Sequence, residues 1–404
     1  MEKMVMSVVG IGVAQGLNAR EVAMKAAQEA LDQIGTHQPA FGIFLVSREY
    51  HLSDLTMGLT SLLGDFPLWG FNTILPFTDF GEQRRSVLVA LFGGTGLKAN
   101  VMWMPDVEKN SQDLAAKLVT SIHRLRTRYS AYLASMDASV TNLAVFEEVV
   151  QGLNGICGGC LPAGDHSREM TLQVARNQFG SGALSLAMLG GKFKMGVGFA
   201  HGWEKTGISI QAIGQSGVWL KELDSQVPVD FYSRKFGCDP GRWLSSPQAE
   251  FLRLYAWGIS SQSDDMGVRL CSPLRIEDGG VIRLTGGIPE SSILHLMVGS
   301  RSACLAAIDR AAKQAFNSFR NSAATRNTSA RSRPLLALVF IDLSWRYMFE
   351  TQPYQYLQMI KNAIGDIPII GAYSLGQIAY HPAQKPCRVL NQGIVIQLIG
   401  EEES

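Results

Sequence analysis

Cys157-Gly158-Gly159-Cys160 has the spacing of a redox dithiol or of half a zinc site, and Asp165 and His166 follow within a few residues. An enzyme built here would use Cys157 or Cys160 as nucleophile and His166 as base on a small metabolite. No second Cys-x-x-Cys accompanies the first, so a zinc set lacks ligands, and the bland alternative is two small thiols packed at a glycine corner. Asp342 and Arg346 follow an apolar run and are expected at the carboxyl end of a strand. There the carboxylate could take the ammonium of a zwitterion and the guanidinium its carboxylate, or the two could pair with each other. Tyr373, Ser374 and Gln377 add hydroxyls and an amide able to orient a small polar ligand. Asn391, ahead of Gly393, joins them or caps a turn. In His201-Gly202-Trp203 the indole could cover a pocket from a loop or close the core of a sheet.

The element that must position Tyr373 to Asn391 runs from Ile364 to Leu398: an apolar run ending at Gly371, a bend of small and polar residues, a proline-bearing loop, then Ile394 to Leu398 as a buried strand. Two earlier stretches resemble it, around Gly70 and around Gly158-Gly159. Each follows a strand candidate and a helix candidate: Phe41 to Val46 with Asp54 to Leu63, Tyr132 to Met136 with Asn142 to Leu153, and Leu335 to Ile341 with Pro353 to Ala363. Irregular spacing excludes a solenoid and leaves duplication of one α/β unit. The fold class expected is α/β, with layered mixed or antiparallel sheets, helices on the outer faces and pseudo-repeated units. The glycine corners, Gly158 and Gly159 included, would then face comparable places and border a ligand site.

Further elements follow from pattern. Asn18 with Glu21 offers a capping box for a helix to Ile34, and Ser111 to Arg124 and Ala303 to Phe319 are amphipathic. Phe193 to Ala200, Gly207 to Ile213 and Gly217 to Leu223 read as a strand meander. Pro228 to Phe236 and Pro247 to Trp257 read as short helices. Between Asn321 and Pro334 apolar periodicity stops, as in a flexible loop, and its Arg326, Arg331 and Arg333 are expected to be solvated.

With 404 residues and a formal net charge of +1, the chain is long enough for two domains and has no charge excess pointing to nucleic acid or an acidic membrane. No apolar run reaches the roughly 18 residues of a membrane helix, and Met1 to Ala14 makes a poor signal peptide. Six cysteines at uneven spacings suggest reduced thiols in a cytoplasm. No phosphate-cradling loop, serine elbow, paired-histidine metal helix or dinucleotide fingerprint is present, so no cofactor is expected.

The run Gly207 to Gly237, with Ile208-Ser209-Ile210, Glu222-Leu223-Asp224 and Val229-Asp230-Phe231-Tyr232, resembles the end of the amino-terminal half of the FIST domain family. Gly158-Gly159, Ala163-Gly164-Asp165 and Gly190-Gly191 fit its middle section. Ile288-Pro289-Glu290, Val339-Phe340, Ile367 to Gly371, Tyr373-Ser374-Leu375-Gly376 and Asn391 resemble the companion FIST C segment. The resemblance implies a FIST N-like domain over 1–225 and a FIST C-like domain over 226–404. It also implies an intracellular sensory protein that binds a small molecule such as an amino acid. The chain has no room for a kinase, cyclase or receiver output, so a signalling partner or homo-oligomer is expected to carry the output. Where the family has Cys and Gly-Arg this chain has Asp342 to Arg346, and Gln377 replaces a glutamate, which removes a charge from the last corner. The rival functions are the cysteine enzyme above and a scaffold without a ligand.

Overall fold

The computed structural model describes residues 7–109, 111–164, 171–212, 217–243, 251–260, 268–289, 292–321, 332–350, 353–383 and 387–402. Three α/β units share one plan. The first runs β1 (Val8–Gln15), α1 (Ala19–Ile34), β2 (Pro39–Ser47), α2 (Leu52–Leu63), β3 (Leu68–Thr73) and β4 (Ser86–Gly93). The second runs β5 (Leu97–Met104), α3 (Ser111–His123), β6 (Tyr129–Met136), α4 (Leu143–Gly152), β7 (Ile156–Pro162) and β8 (Leu184–Gly191). The third runs β9 (Phe193–His201), α5 (Arg301–Asn321), β10 (Ser332–Asp342), α6 (Pro353–Ile364), β11 (Ile369–Tyr380) and β12 (Gly393–Glu402). In each, the fourth strand lies between the first and second, antiparallel to both, and the second and third are parallel. The repeated unit expected from the glycine corners is therefore present.

The corners have a common steric cause. Gly70, Gly159 and Gly371 are the register partners of Phe44, Ala134 and Val339 on the neighbouring parallel strand. A Cβ there would lie 1.8, 2.1 and 2.3 Å from the carbonyl oxygens of those same residues. Only glycine permits that approach. Three residues further on stand Ser47, Asp137 and Asp342, of which Ser47 and Asp342 close their strand pairs and Asp137 lies just past the end of β6. Their side chains accept the backbone N–H of Ser86 (2.9 Å), Gly182 (2.6 Å) and Gln392 (3.0 Å), each close to the start of the fourth strand. The third strands converge: Ile74 N donates to Ala163 O (2.8 Å) and Ala163 N to Tyr373 O (3.0 Å).

Units two and three join through β7 and β11 into one long sheet, and unit one forms a second. Period-two alternation shows how they stack. Phe41, Ile43 and Leu45 of β2 face Leu133, Phe340 and Ile399 of the long sheet, while Phe44 and Val46 turn to α1 and α2. The outer face of the long sheet is covered by α3 to α6. The layers are thus helix, sheet, sheet, helix. Helix α1 begins at Asn18, whose Oδ1 accepts from Glu21 N (3.3 Å), although Glu21 returns its carboxylate to the Asn18 amide side chain and not to its N–H.

Between β9 and α5 the chain makes two smaller sheets. Trp203–Gln211 pairs with Ile293–Gly299, which also pairs with Trp257–Ser260, and Ile282–Leu284 lies between Trp219–Leu220 and Pro273–Ile276. The expected meander is corrected accordingly: β9 pairs with β12, 200 residues away in sequence at its start, and the next strand belongs to another sheet. Gly202 turns the chain there by packing against the backbone of Cys304 in α5. Trp257, read as a helix end, lies in a strand, fully buried among Phe231 and Tyr232. The reading of a loop over 322–331 lies outside the described residues.

Arg333 is not a solvated loop arginine. It donates to Glu401 Oε1 (2.8 Å), and both carboxylate oxygens take Ser7 N at 3.1 Å. Burial alone would raise the Glu401 carboxyl, but bonds from Arg333 and Ser7 outweigh it and hold it below the usual range. The resulting stabilisation is complete above the unfolded carboxyl value and disappears as pH falls through the lowered one. Glu401→Gln is therefore expected to flatten the acid side of a melting-temperature profile; an unchanged profile removes Glu401 from the account.

Candidate functional site

Asp342 ends β10 and caps the helix Leu343–Met348, accepting from Ser344 N (3.0 Å) and Ser344 Oγ (2.8 Å). Its carboxylate is also held by Arg253 Nη2 at 3.0 and 3.2 Å, by Gln377 Nε2 (3.3 Å) and by Gln392 N (3.0 Å). Both Asp342 and Arg253 are buried. Gln377 also donates to Ser374 Oγ (2.8 Å), so Asp342, Ser374 and Gln377 do come together. They form a closed polar hub and present no free carboxylate to a ligand. Nor does Asp342 pair with Arg346.

Arg346 instead bonds Glu82 Oε1 (3.1 Å), which also accepts from the Tyr373 hydroxyl (2.7 Å). Tyr356 shares a hydroxyl contact with Tyr373. Glu82 comes from the hairpin Pro76–Thr78 and Gly81–Glu82, laid against β11. Burial pushes both phenols well above their ordinary value, so they remain neutral donors.

Gly158 and Gly159 lie buried in the middle of β7, and a Cβ on Gly158 would meet the Gln397 amide at 1.9 Å. The dithiol expectation is corrected by the same strand. Residues three apart point to opposite faces, so Cys157 packs under the helices and Cys160 between the sheets. Burial raises both thiols well above their ordinary value. Asp165 and His166 lie outside the described residues. Among the described residues no group of three or more His, Cys, Asp and Glu is placed to hold a metal. Trp203 is buried, with Nε1 donating to Leu254 O (3.1 Å), and closes the core.

His201 and Asn391 do line a cavity, of about 420 Å³, together with Arg269, Arg310 and Arg388. Arg269 and Arg388 also belong to the wall of an adjoining cavity of about 520 Å³, beside the first turns of α4 with Glu147, Trp219 and Ile259. Glu147 accepts from Val389 N (2.8 Å) and lies 3.7 Å from Arg388 Nη1. Burial raises its carboxyl; the Val389 N–H and the charges of Arg269 and Arg388 oppose that rise. Burial and Arg310 lower His201, which keeps the imidazole neutral at pH 7. A carboxylate beside two guanidiniums is complementary to an ammonium and a carboxylate on one small molecule.

Sequence reasoning missed Glu147, Arg253, Arg269, Arg310 and Arg388. Only Glu147 carried a local signal. It sits four residues after Leu143 and three before Val150, on the buried stripe of α4, where a solvated glutamate does not belong.

The FIST N domain matches residues 40–226 and the FIST C domain residues 228–380. No curated protein matches the chain. Among solved structures, a cyanuric acid hydrolase from A. caulinodans is 10% identical with a TM-score of 0.26, over 46% of this chain and 71% of that one. Phosphoribosylformylglycinamidine synthase II from Thermotoga maritima is 10% identical with a TM-score of 0.25, over 99% and 73%. Among the described residues no helix is long and apolar enough to cross a membrane.

Proposed function

Because the chain belongs to the FIST family, whose domains are generally sensory domains for small ligands, we propose that it senses an amino-acid-like metabolite in the cavity bounded by Glu147, Arg269 and Arg388. The observation that carries this reading is a carboxylate of raised pKa set against two guanidiniums in a cavity of about 520 Å³, within the usual range for small-molecule sites. Glu147 takes the ammonium, and Arg269 and Arg388 take the carboxylate. Dividing the protein into 1–225 and 226–404, the first segment supplies Glu147 and the second both arginines, so the ligand bridges them. Output passes to a cytoplasmic signalling partner or to a second copy of the chain.

The test is thermal-shift titration of the full chain with amino acids, since a ligand of the folded state raises melting with concentration. Glu147→Gln is expected to weaken the shift about tenfold or more, as loss of a buried charge partner does. Wild-type affinity should also fall as pH drops through a window beginning above the ordinary carboxylate value of roughly 4.3, because protonated Glu147 no longer attracts an ammonium. Unchanged melting across all amino acids, or full affinity in Glu147→Gln, overturns the reading.

A further inference from the structure

The cavity holding His201 and Asn391 has a counterpart in unit one, and the two differ in charge. Gly12 of β1 lies against Ala26 of α1 as Gly198 of β9 lies against Ala311 of α5: their absent Cβ atoms would be 1.8 and 2.0 Å from those carbonyl oxygens. Three residues further along each helix, a side chain caps the exposed edge of the strand. Glu29 accepts from Val13 N (3.1 Å), and Gln314 accepts from Phe199 N (3.0 Å). One residue before each alanine stands a cation, Lys25 or Arg310. Both sets line cavities, of about 650 Å³ in unit one and 420 Å³ in unit three.

In unit one the wall balances Lys25 with Glu29 and Asp79. In unit three the glutamate position is Gln314, Arg310 is joined by Arg269 and Arg388, and no carboxylate lines the wall among the described residues. Asn391 supplies an independent sign of a ligand. It is 2% exposed, its Nδ2 donates to Leu270 O (3.0 Å), and its Oδ1 has no partner. A buried acceptor left open is costly unless something donates to it.

We propose that this cavity is a subsite for inorganic phosphate, which keeps a P–OH at neutral pH: the guanidiniums bind its charged oxygens and Asn391 Oδ1 accepts that proton. A carboxylate, a sulfate or a phosphate monoester, whose second pKa is about 6, has little or no proton to offer at neutral pH, so the open acceptor selects against all three. The two cavities share Arg269 and Arg388, but phosphate binding does not rest on the proposed function.

Calorimetric titration of the full chain at fixed ionic strength tests this with inorganic phosphate, sulfate, phosphoserine and serine. Saturable phosphate binding is expected, tighter than that of sulfate and tighter than that of phosphoserine, whose monoester is mostly the dianion at neutral pH. Gln314→Glu, which keeps the bond to Phe199 as Glu29 does in unit one, should weaken phosphate about tenfold by like-charge opposition, whereas Glu29→Gln leaves it unchanged. No saturable phosphate binding, equal binding of sulfate, or an unaffected Gln314→Glu variant overturns the proposal. Phosphate bound by the wild-type chain with no response to any amino acid would sink the amino-acid reading and leave this subsite standing.

Discussion

Asp342→Ala is expected to destabilise the fold by about 3–5 kcal/mol, the usual cost of stripping one partner from a buried ion pair. The substitution removes the acceptors of Arg253, Ser344, Gln377 and Gln392 together, and leaves the Arg253 guanidinium charged at 3% exposure. Arg253 has one further support at Pro273 O (3.3 Å) and one at Leu375 O (3.4 Å), while its Nε has no partner even in the native protein. It cannot escape to water without unpacking the helix end Leu252–Leu254. Chemical denaturation gives the value directly, and the double variant Arg253→Met with Asp342→Leu should recover part of the loss, since two apolar side chains carry no desolvation penalty. A single variant that unfolds at the wild-type midpoint would show that the hub holds nothing together.

The reason Asp342 was legible as a polar residue at a strand end, but not as the partner of Arg253, lies in what local patterns encode. Alternation and glycine placement mark β10 and β11, but that Asp342 meets Ser374 and Gln377 follows only from their parallel pairing. Nothing local marks Arg253, 89 residues earlier in a segment that reads only as a short helix. The same limit applies to β9, whose apolar run looks equally suited to its sequence neighbour and to β12. Period-two patterns set which face is buried and leave the partner strand open. Repetition, by contrast, was visible, because all three units need a glycine where parallel strands cross at close range. The cavity arginines carried no signal at all: Arg269, Arg310 and Arg388 come from an inserted sheet, a helix face and a loop, and only the tertiary fold gathers them.

Adding one methyl group at Gly159 is the second change expected to cost most. In Gly159→Ala the Cβ would lie 2.1 Å from Ala134 O, inside a ladder where Ala134 and Gly159 are register partners and both neighbours are buried strands. Relief requires moving backbone in the centre of the long sheet, so the penalty should reach about 3 kcal/mol or more, the upper end for overpacking. Gly158→Ala separates this cause from a general intolerance of β7 to side chains. Its Cβ would meet Gln397 Oε1 at 1.9 Å, and neither polar atom of that amide has a hydrogen-bond partner to lose. A side chain can rotate where a strand cannot, so Gly158→Ala should cost about 1–2 kcal/mol in the same denaturation assay. The ranking is the test: if Gly158→Ala proves the worse of the two, the close approach of parallel strands is not what keeps glycine at the three corners.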